Sequence, residues 1–231
     1  MAALASSFDD AWARFQQRDA LLIDSDTLDQ SWSRGRAQYL TFLVRIEDTA
    51  AREHLARAGD RVRNIPGVEL YPDWYWHVTV KGVGFQVIKR AQEDDVLRED
   101  VSRIARGAAA ILSREAAYDA QLGLPNGFPS VVVVELQDGG RTRELNGRLA
   151  EGLPQVHRYP GEGDAFLPHI SIARFTSNEG LAQLKAALAE LRREGPGPSF
   201  PIRRVEFVKA WITEEVPELD TLATYQLASG A

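Results

Sequence analysis

The sequence contains no cysteine, which removes disulfide bonds, thiol nucleophiles and thiolate metal sites together and fits a reducing compartment. Long apolar runs are missing as well. The longest, VVVV at residues 131–134, is far too short to cross a bilayer, and the N-terminal MAALASSFDDAWARFQQRDA carries two early aspartates and no apolar signal core. A cytoplasmic protein with no membrane partner is expected. Positive charge is not in excess: 27 Lys and Arg against 33 Asp and Glu give a net charge of −6, whereas counterion-driven binding to long duplex nucleic acid needs a broadly basic surface. A small anionic ligand, or one end of an RNA, can still meet a local positive pocket. Metal and nucleotide fingerprints are absent too. There is no H-E-x-x-H or H-x-H, no Walker A pattern and no G-x-S-x-G, and GVGF after Lys81 lacks the rest of a dinucleotide fingerprint. No cofactor is expected, and no metal is required.

Histidine is scarce, with four in 231 residues, yet two of the four stand in matching surroundings: HVTV at 77–80 and HISI at 169–172. The other two, His54 and His157, have no such neighbour. His54 reads as a surface residue on a helix, and His157 as part of an exposed mobile loop, VHRYPGEGDAF.

Around these motifs the pattern alternates between strand and helix. Phe8, Trp12, Phe15 and Leu22 recur near helical spacing and predict a short helix docked on the body. YLTFLVRI (39–46) reads as a buried strand, residues 50–62 as a helix stopped by IPG, and VELYP and WYWHVTVKG as strands. A longer helix is expected from Asp94, with Asp94 and Asp95 at its start, followed by a turn-rich loop at LGLPNGFPS. The order then recurs: strand SVVVVEL, turn DGG, helix from Arg141, strand FLPHISIARF. A helix with Ser177 or Asn178 at its N-cap and strands at RRVEFVKAWIT and TYQLA complete the chain, with TEEVPELD as a solvated loop. Shifting the sequence by 92 lays Phe42 on Val134 and His77 on His169, an internal repeat of elements. The expected fold class is α+β: duplicated strand-helix-strand lobes with antiparallel sheets facing a central groove. Residues 1–38 form an N-terminal helical extension, and 39–231 form a single bilobal domain.

On a strand, residues two apart share a face, so His77 projects with Thr79 and His169 with Ser171, while Trp76, Val78, Val80, Ile170 and Ile172 turn into the core. Imidazole titrates near neutral pH, so two such rings across one groove can supply an acid and a base for in-line displacement at phosphorus. The hydroxyls of Thr79 and Ser171 can donate to non-bridging phosphate oxygens. A bell-shaped rate profile between about pH 5 and 8 is the expected signature.

The paired, strand-borne motifs in WHVTVKGVG and PHISIARF, set in a duplicated frame, resemble those of the two-histidine phosphoesterase superfamily, which includes 2′-5′ RNA ligase-like proteins and cyclic phosphodiesterases. The resemblance covers about residues 39–227. It implies a bilobal α+β fold with catalytic roles for His77 and His169 and phosphate contacts from Thr79 and Ser171. The implied activity is hydrolysis of a nucleotide or RNA-end phosphodiester, either a 2′,3′-cyclic phosphate or a 2′-5′ linkage. A non-catalytic module holding an RNA end or nucleotide in the same groove is the alternative.

Further candidates follow from alternation. Lys81 falls on the face of His77 and Thr79 and is placed to neutralise phosphate charge. Tyr75 shares that face and, with Trp74 and Tyr71, could stack on a base. Arg174 points away from the groove under strict alternation unless the strand ends or bulges there; it is kept as a candidate substrate-binding residue, with Phe175 as a candidate groove wall.

Overall fold

Apolar residues recur at a spacing of two in some stretches and near 3.6 in others, and the chain alternates between strand and helix accordingly. The computed structural model describes residues 7–23, 32–212 and 216–229. In chain order the elements are α1 (Phe8–Gln17), β1 (Gln38–Arg45), α2 (Thr49–Val62), β2 (Val68–Leu70), β3 (His77–Val87), β4 (Asp95–Leu97) and α3 (Val101–Leu112). They continue with β5 (Tyr118–Gly127), β6 (Val131–Gln137), α4 (Arg141–Gly152), β7 (His169–Phe175), α5 (Leu181–Arg193), β8 (Ser199–Ile202), β9 (Arg204–Trp211) and β10 (Glu218–Gln226).

Among the described residues, ten strands form one curled sheet. Its main path runs β10-β9-β1-β3-β7-β6-β5-β8, with β2 on β7 and β4 on β3. Every pairing is antiparallel except β3 with β4. The sheet has two halves that meet where Val78 of β3 pairs with Ile170 of β7, the single ladder pair between those strands. Past that point β3 pairs with β4 and β7 with β2, so the central strands diverge and each takes a short partner of its own. Helices α2 and α5 pack side by side, as do α3 and α4. Their apolar faces share one core with the inward residues of the strands, including Leu55, Ile104, Leu145, Leu188, Val78, Val80, Ile170 and Ile172. The mixed architecture and the duplicated lobes match the expected fold class, with the lobes fused through a continuous sheet.

Several sequence expectations are corrected. Asp73–Tyr75 form a 3-10 turn, so β3 starts at His77 rather than before it. Asp94 and Asp95 do not open a helix: Asp95 accepts from the backbone N–H groups of Ala91 and Gln92 at 2.7 Å each and from Arg36 at 2.6 Å, closing a turn into β4, and α3 begins at Val101. The stretch read as a Pro- and Gly-rich loop is mostly β5. Its pairing with β6 shifts register between Leu122 and Pro125, and such an irregularity tolerates a proline that cannot donate to a ladder. Gly180, not Ser177 or Asn178, caps α5. The Asn178 carboxamide instead accepts from Leu21 N–H at 2.6 Å. Residues 218–220 of the expected acidic loop lie in β10, and 213–215 fall outside the described residues.

Helix α1 is fixed by the same chemistry that starts and ends helices generally. The Ser7 hydroxyl accepts from Asp10 N–H at 3.1 Å, Asp9 and Asp10 favour the positive helix end, and Lys185 of α5 donates to the carbonyls of Gln16 and Arg18 at 2.9 and 2.6 Å. Phe15 is fully buried against Gly127 of β5, where any Cβ would collide with the phenyl ring. Leu22 stands outside the helix and is exposed, with Leu21 buried in its place. Replacing Phe15 by Ala is expected to cost about 3–5 kcal/mol of stability, read as a lower urea midpoint. An unchanged midpoint would show that α1 is not part of the cooperative unit.

Candidate active site

The register at Val78 and Ile170 builds the site. Both side chains enter the core, so their neighbours project from the opposite face. Continuing the antiparallel register sets Thr79 across from His169, and His77 across from Ser171. Direct cross-strand partners have Cβ atoms about 4.5–5.5 Å apart, and diagonal ones about 7–8 Å. The two imidazoles therefore stand diagonally over one small patch, each facing the hydroxyl of the other motif. Leu43 pairs with Thr79 and Val133 with Ser171, and these two fully buried side chains floor the patch on either side.

Each ring is held by its own chain. His77 Nδ1 lies 2.6 Å from the carbonyl of Tyr75, and His169 Nδ1 lies 2.7 Å from the carbonyl of Leu167. A carbonyl only accepts, so Nδ1 carries the proton in both rings, and Nε2 of the neutral imidazole is left as the lone-pair atom. An aromatic edge braces each one: Tyr75 against His77 at 5.0 Å and 86°, Phe128 against His169 at 4.7 Å and 62°.

Burial is the largest influence on both titrations. It pushes His77 down to about 4; the bond to the Tyr75 carbonyl partly opposes this, while Arg45 and His169 reinforce it. His169 is also lowered, by burial against the opposing bond to the Leu167 carbonyl.

Both motif strands carry a bulge at the same position. On β3 the pairing with β1 skips Val80, and on β7 the pairing with β6 skips Ile172. The carbonyl of each skipped residue finds another donor: Asn146 Nδ2 at 2.8 Å for Val80, and Tyr71 N–H at 2.9 Å for Ile172. An extra residue reverses the alternation beyond it, and three sequence assignments change accordingly. Lys81 is in register with Phe42, off the His77–Thr79 face. It is fully buried, with Nζ donating to the carbonyls of Gly82 and His157 and to Glu162 at 2.6, 2.5 and 2.6 Å. Arg174 is turned onto the face of Ser171, where it pairs with Glu69 at 2.9 Å. Phe175 goes into the core, fully buried, and is no groove wall. Gly82 is the counterpart of Arg174 in the first half, and the space a side chain would need there is taken by the Tyr39 hydroxyl and the Tyr159 ring.

Tyr75 reaches the site from the 3-10 turn rather than by strand alternation. The His157 loop is tethered to β3: His157 N–H donates to Val83 O at 3.0 Å, its carbonyl takes the Lys81 bond, and Glu162 closes the ion pair. His54 is half-buried against Gly197. Two charged neighbours escaped the sequence reading. Arg45, at the end of an apolar strand, is in register with His77 and pairs with Glu206 at 3.0 Å. Glu135 is in register with His169 and is held by Arg192 and Asn126 at 2.8 and 2.9 Å. Alternation along β1 and β6 was the available signal. Among the described residues, no group of three or more His, Cys, Asp or Glu is placed to hold a metal ion, and no helix is long and apolar enough to cross a membrane.

The family model for the 2′-5′ RNA ligase superfamily matches residues 51–210, which include both motifs. The chain belongs to that superfamily. Solved structures share its fold at low identity. TT0787 of Thermus thermophilus is 20% identical with a TM-score of 0.61, covering 84% of this chain and 100% of that one. E. coli LigT complexed with 3′-AMP is 15% identical with a TM-score of 0.59, again over 84% and 100%. The conserved protein ATU0111 from Agrobacterium tumefaciens is 16% identical with a TM-score of 0.60, over 86% and 98%. No curated protein matches by sequence. As a superfamily member, the chain has a phosphoesterase or ligase type of function.

Two consequences of the site geometry are measurable. Both histidines are lowered in the folded state, so the unfolded chain takes up protons first as pH falls. Their neutral forms therefore support the fold above the ordinary value near 6.5, and that support drains away as pH drops toward about 4. In a His77→Gln variant, the fall in urea midpoint over this window should be shallower than in the wild type. Asn146→Leu, which strips the Val80 carbonyl of its donor, is expected to cost about 1–3 kcal/mol.

Proposed function

We propose that this protein is a metal-independent phosphodiesterase acting on a nucleotide or RNA-end phosphodiester, either a 2′,3′-cyclic phosphate or a 2′-5′ linkage. The observation that carries the reading is the diagonal pair of imidazoles, each tied through Nδ1 to a backbone carbonyl and so offering Nε2 to a shared patch. In hydrolysis one neutral Nε2 takes a proton from the attacking water. The other, protonated, gives its proton to the departing ribose oxygen, and the P–O bond breaks in line with the one that forms. The Thr79 and Ser171 hydroxyls donate to the non-bridging oxygens, where negative charge gathers. Arg174 supplies positive charge on the same face, shared with Glu69. With a ribose hydroxyl in place of the attacking water, the same steps make a linkage: one Nε2 takes the hydroxyl proton, its oxygen bonds to phosphorus, and the ring oxygen of the cyclic phosphate leaves with the proton of the other. LigT, which shares the fold, has been crystallised with 3′-AMP, ATP, NADP+ and phosphate, which favours a nucleotide for this chain.

Purified protein incubated with a 2′,3′-cyclic nucleotide in excess EDTA should release a single mononucleotide product, and His77→Ala or His169→Ala should each cut kcat/KM by about a hundredfold or more. Binding without any turnover would favour the non-catalytic module instead. The pH profile offers a second check. The value near 4 for His77 and the lowered value for His169 shift the free-enzyme bell to the acid side of the window expected from unperturbed histidine. The rate constant kcat/KM should rise as the base loses its proton near pH 4, then fall as the acid loses its own below the ordinary 6.5. A profile still rising at pH 8 is incompatible with this pair of roles.

A further inference from the structure

The two halves of the site are related by a pseudo-twofold axis, but its two ends differ in chemistry. Because β3 and β7 run in opposite directions, the strip of site-facing residues passes His77 toward Arg174 at one end and passes His169 toward Gly82 at the other. The Gly82 end is closed by groups already committed. The Tyr39 hydroxyl and the Tyr159 ring fill the space over Gly82, and the Lys81–Glu162 ion pair lies behind them.

The His77 end is aromatic. Tyr75 meets His77 edge-on at 5.0 Å, Tyr71 lies against Tyr75 at 4.9 Å and 35°, and Trp74 meets Tyr75 edge-on at 5.8 Å and 84°. Two successive ring contacts thus carry an aromatic surface from the imidazole out to an indole that is 49% exposed. The cluster is braced from several sides. Tyr71 N–H is bonded to the bulge carbonyl of Ile172, and Tyr75 N–H to Pro72 O at 3.0 Å. Arg52 of α2 donates to the Asp73 carbonyl at 3.2 Å and pairs with its carboxylate. Apolar surface of this kind normally packs inward. Here the 3-10 turn leaves Trp74 exposed, with Tyr71 and Tyr75 half-buried behind it, at the end of the site that carries Arg174, and two hydroxyls stand on the same face, which is the chemistry that meets a nucleoside joined to a phosphate.

We propose that Trp74, with Tyr75 and Tyr71 behind it, is the nucleobase platform of this site, and that it orients the substrate with the base beyond His77 and the phosphate between the two histidines. This rests on the phosphodiester reading above and adds a direction to it. Asp73 is engaged by Arg52, and every base has a π-face, so the platform reads the presence of a base rather than its identity.

The test compares wild type, Trp74→Ala and Trp74→Phe on two substrates: a 2′,3′-cyclic nucleotide, and methyl riboside 2′,3′-cyclic phosphate, which has no base. Calorimetric titration with 3′-AMP and with ribose 3-phosphate gives binding without turnover. Trp74→Ala should raise KM and Kd for the nucleotides by roughly 5- to 150-fold, leave kcat near the wild-type value and leave the base-free compounds unaffected. Trp74→Phe should recover most of the loss. Equal effects on both substrate classes, or none on either, would overturn the platform while the phosphodiester reading stands. Wild-type protein that neither binds nor converts any of the four compounds overturns both.

Discussion

One ladder pair, Val78 with Ile170, carries the architecture of the site. It brings the two motif strands side by side and fixes their register. By sending both apolar side chains into the core it also forces His77, Thr79, His169 and Ser171 out of the opposite face. Slipping that register by one residue would exchange the two faces, burying the imidazoles and exposing valine and isoleucine. The helices of both halves pack on the apolar face, so hydrophobic burial selects the register and the polar patch is what remains on the other side.

The bulges refine that arrangement. A strand long enough to join the sheet would continue to alternate, and the residue five places after each histidine would turn into the core. The extra residue at Val80 and at Ile172 rotates position 82 or 174 onto the site face and removes position 81 or 173 from it. In one half this delivers an arginine to the patch. In the other it delivers a glycine, whose missing side chain leaves room for two tyrosines. Equal backbones with unequal side chains convert a symmetric scaffold into a site with distinguishable ends.

Much of this was legible in the sequence, and what was not has a physical cause. Alternation predicted the motif strands, their inward residues and the shared face of each His and hydroxyl pair, because burial on one face of a sheet leaves a period of two. Lys81 and Phe175 were misplaced, and Arg174 was left conditional, because a bulge depends on how the neighbouring strand pairs, which one strand's own letters do not record. The repeat was found, but at one offset. His77 and His169 are 92 residues apart, whereas Val44 and Val134, their partners' counterparts in β1 and β6, are 90 apart. Phe42 therefore corresponds to Val132 rather than to Val134. Pro125 and its flanking glycines suggested a loop where an irregular strand accommodates them. Arg45 and Glu135 were overlooked because each is a lone charge within an apolar run, YLTFLVRI or SVVVVEL, and the letters of one strand do not record which histidine its neighbour sets beside it.

The way the two rings are held bears on how the halves differ. Each Nδ1 is anchored to a peptide oxygen two residues back along its own chain, and every amino acid supplies that oxygen. The residues providing it, tyrosine at 75 and leucine at 167, are unlike in size and polarity, yet they serve the same steering purpose. The backbone therefore sets the tautomer of each imidazole whatever side chains stand at these two positions. One half thus carries an aromatic neighbour and the other a packing residue, with the same tautomer in both histidines.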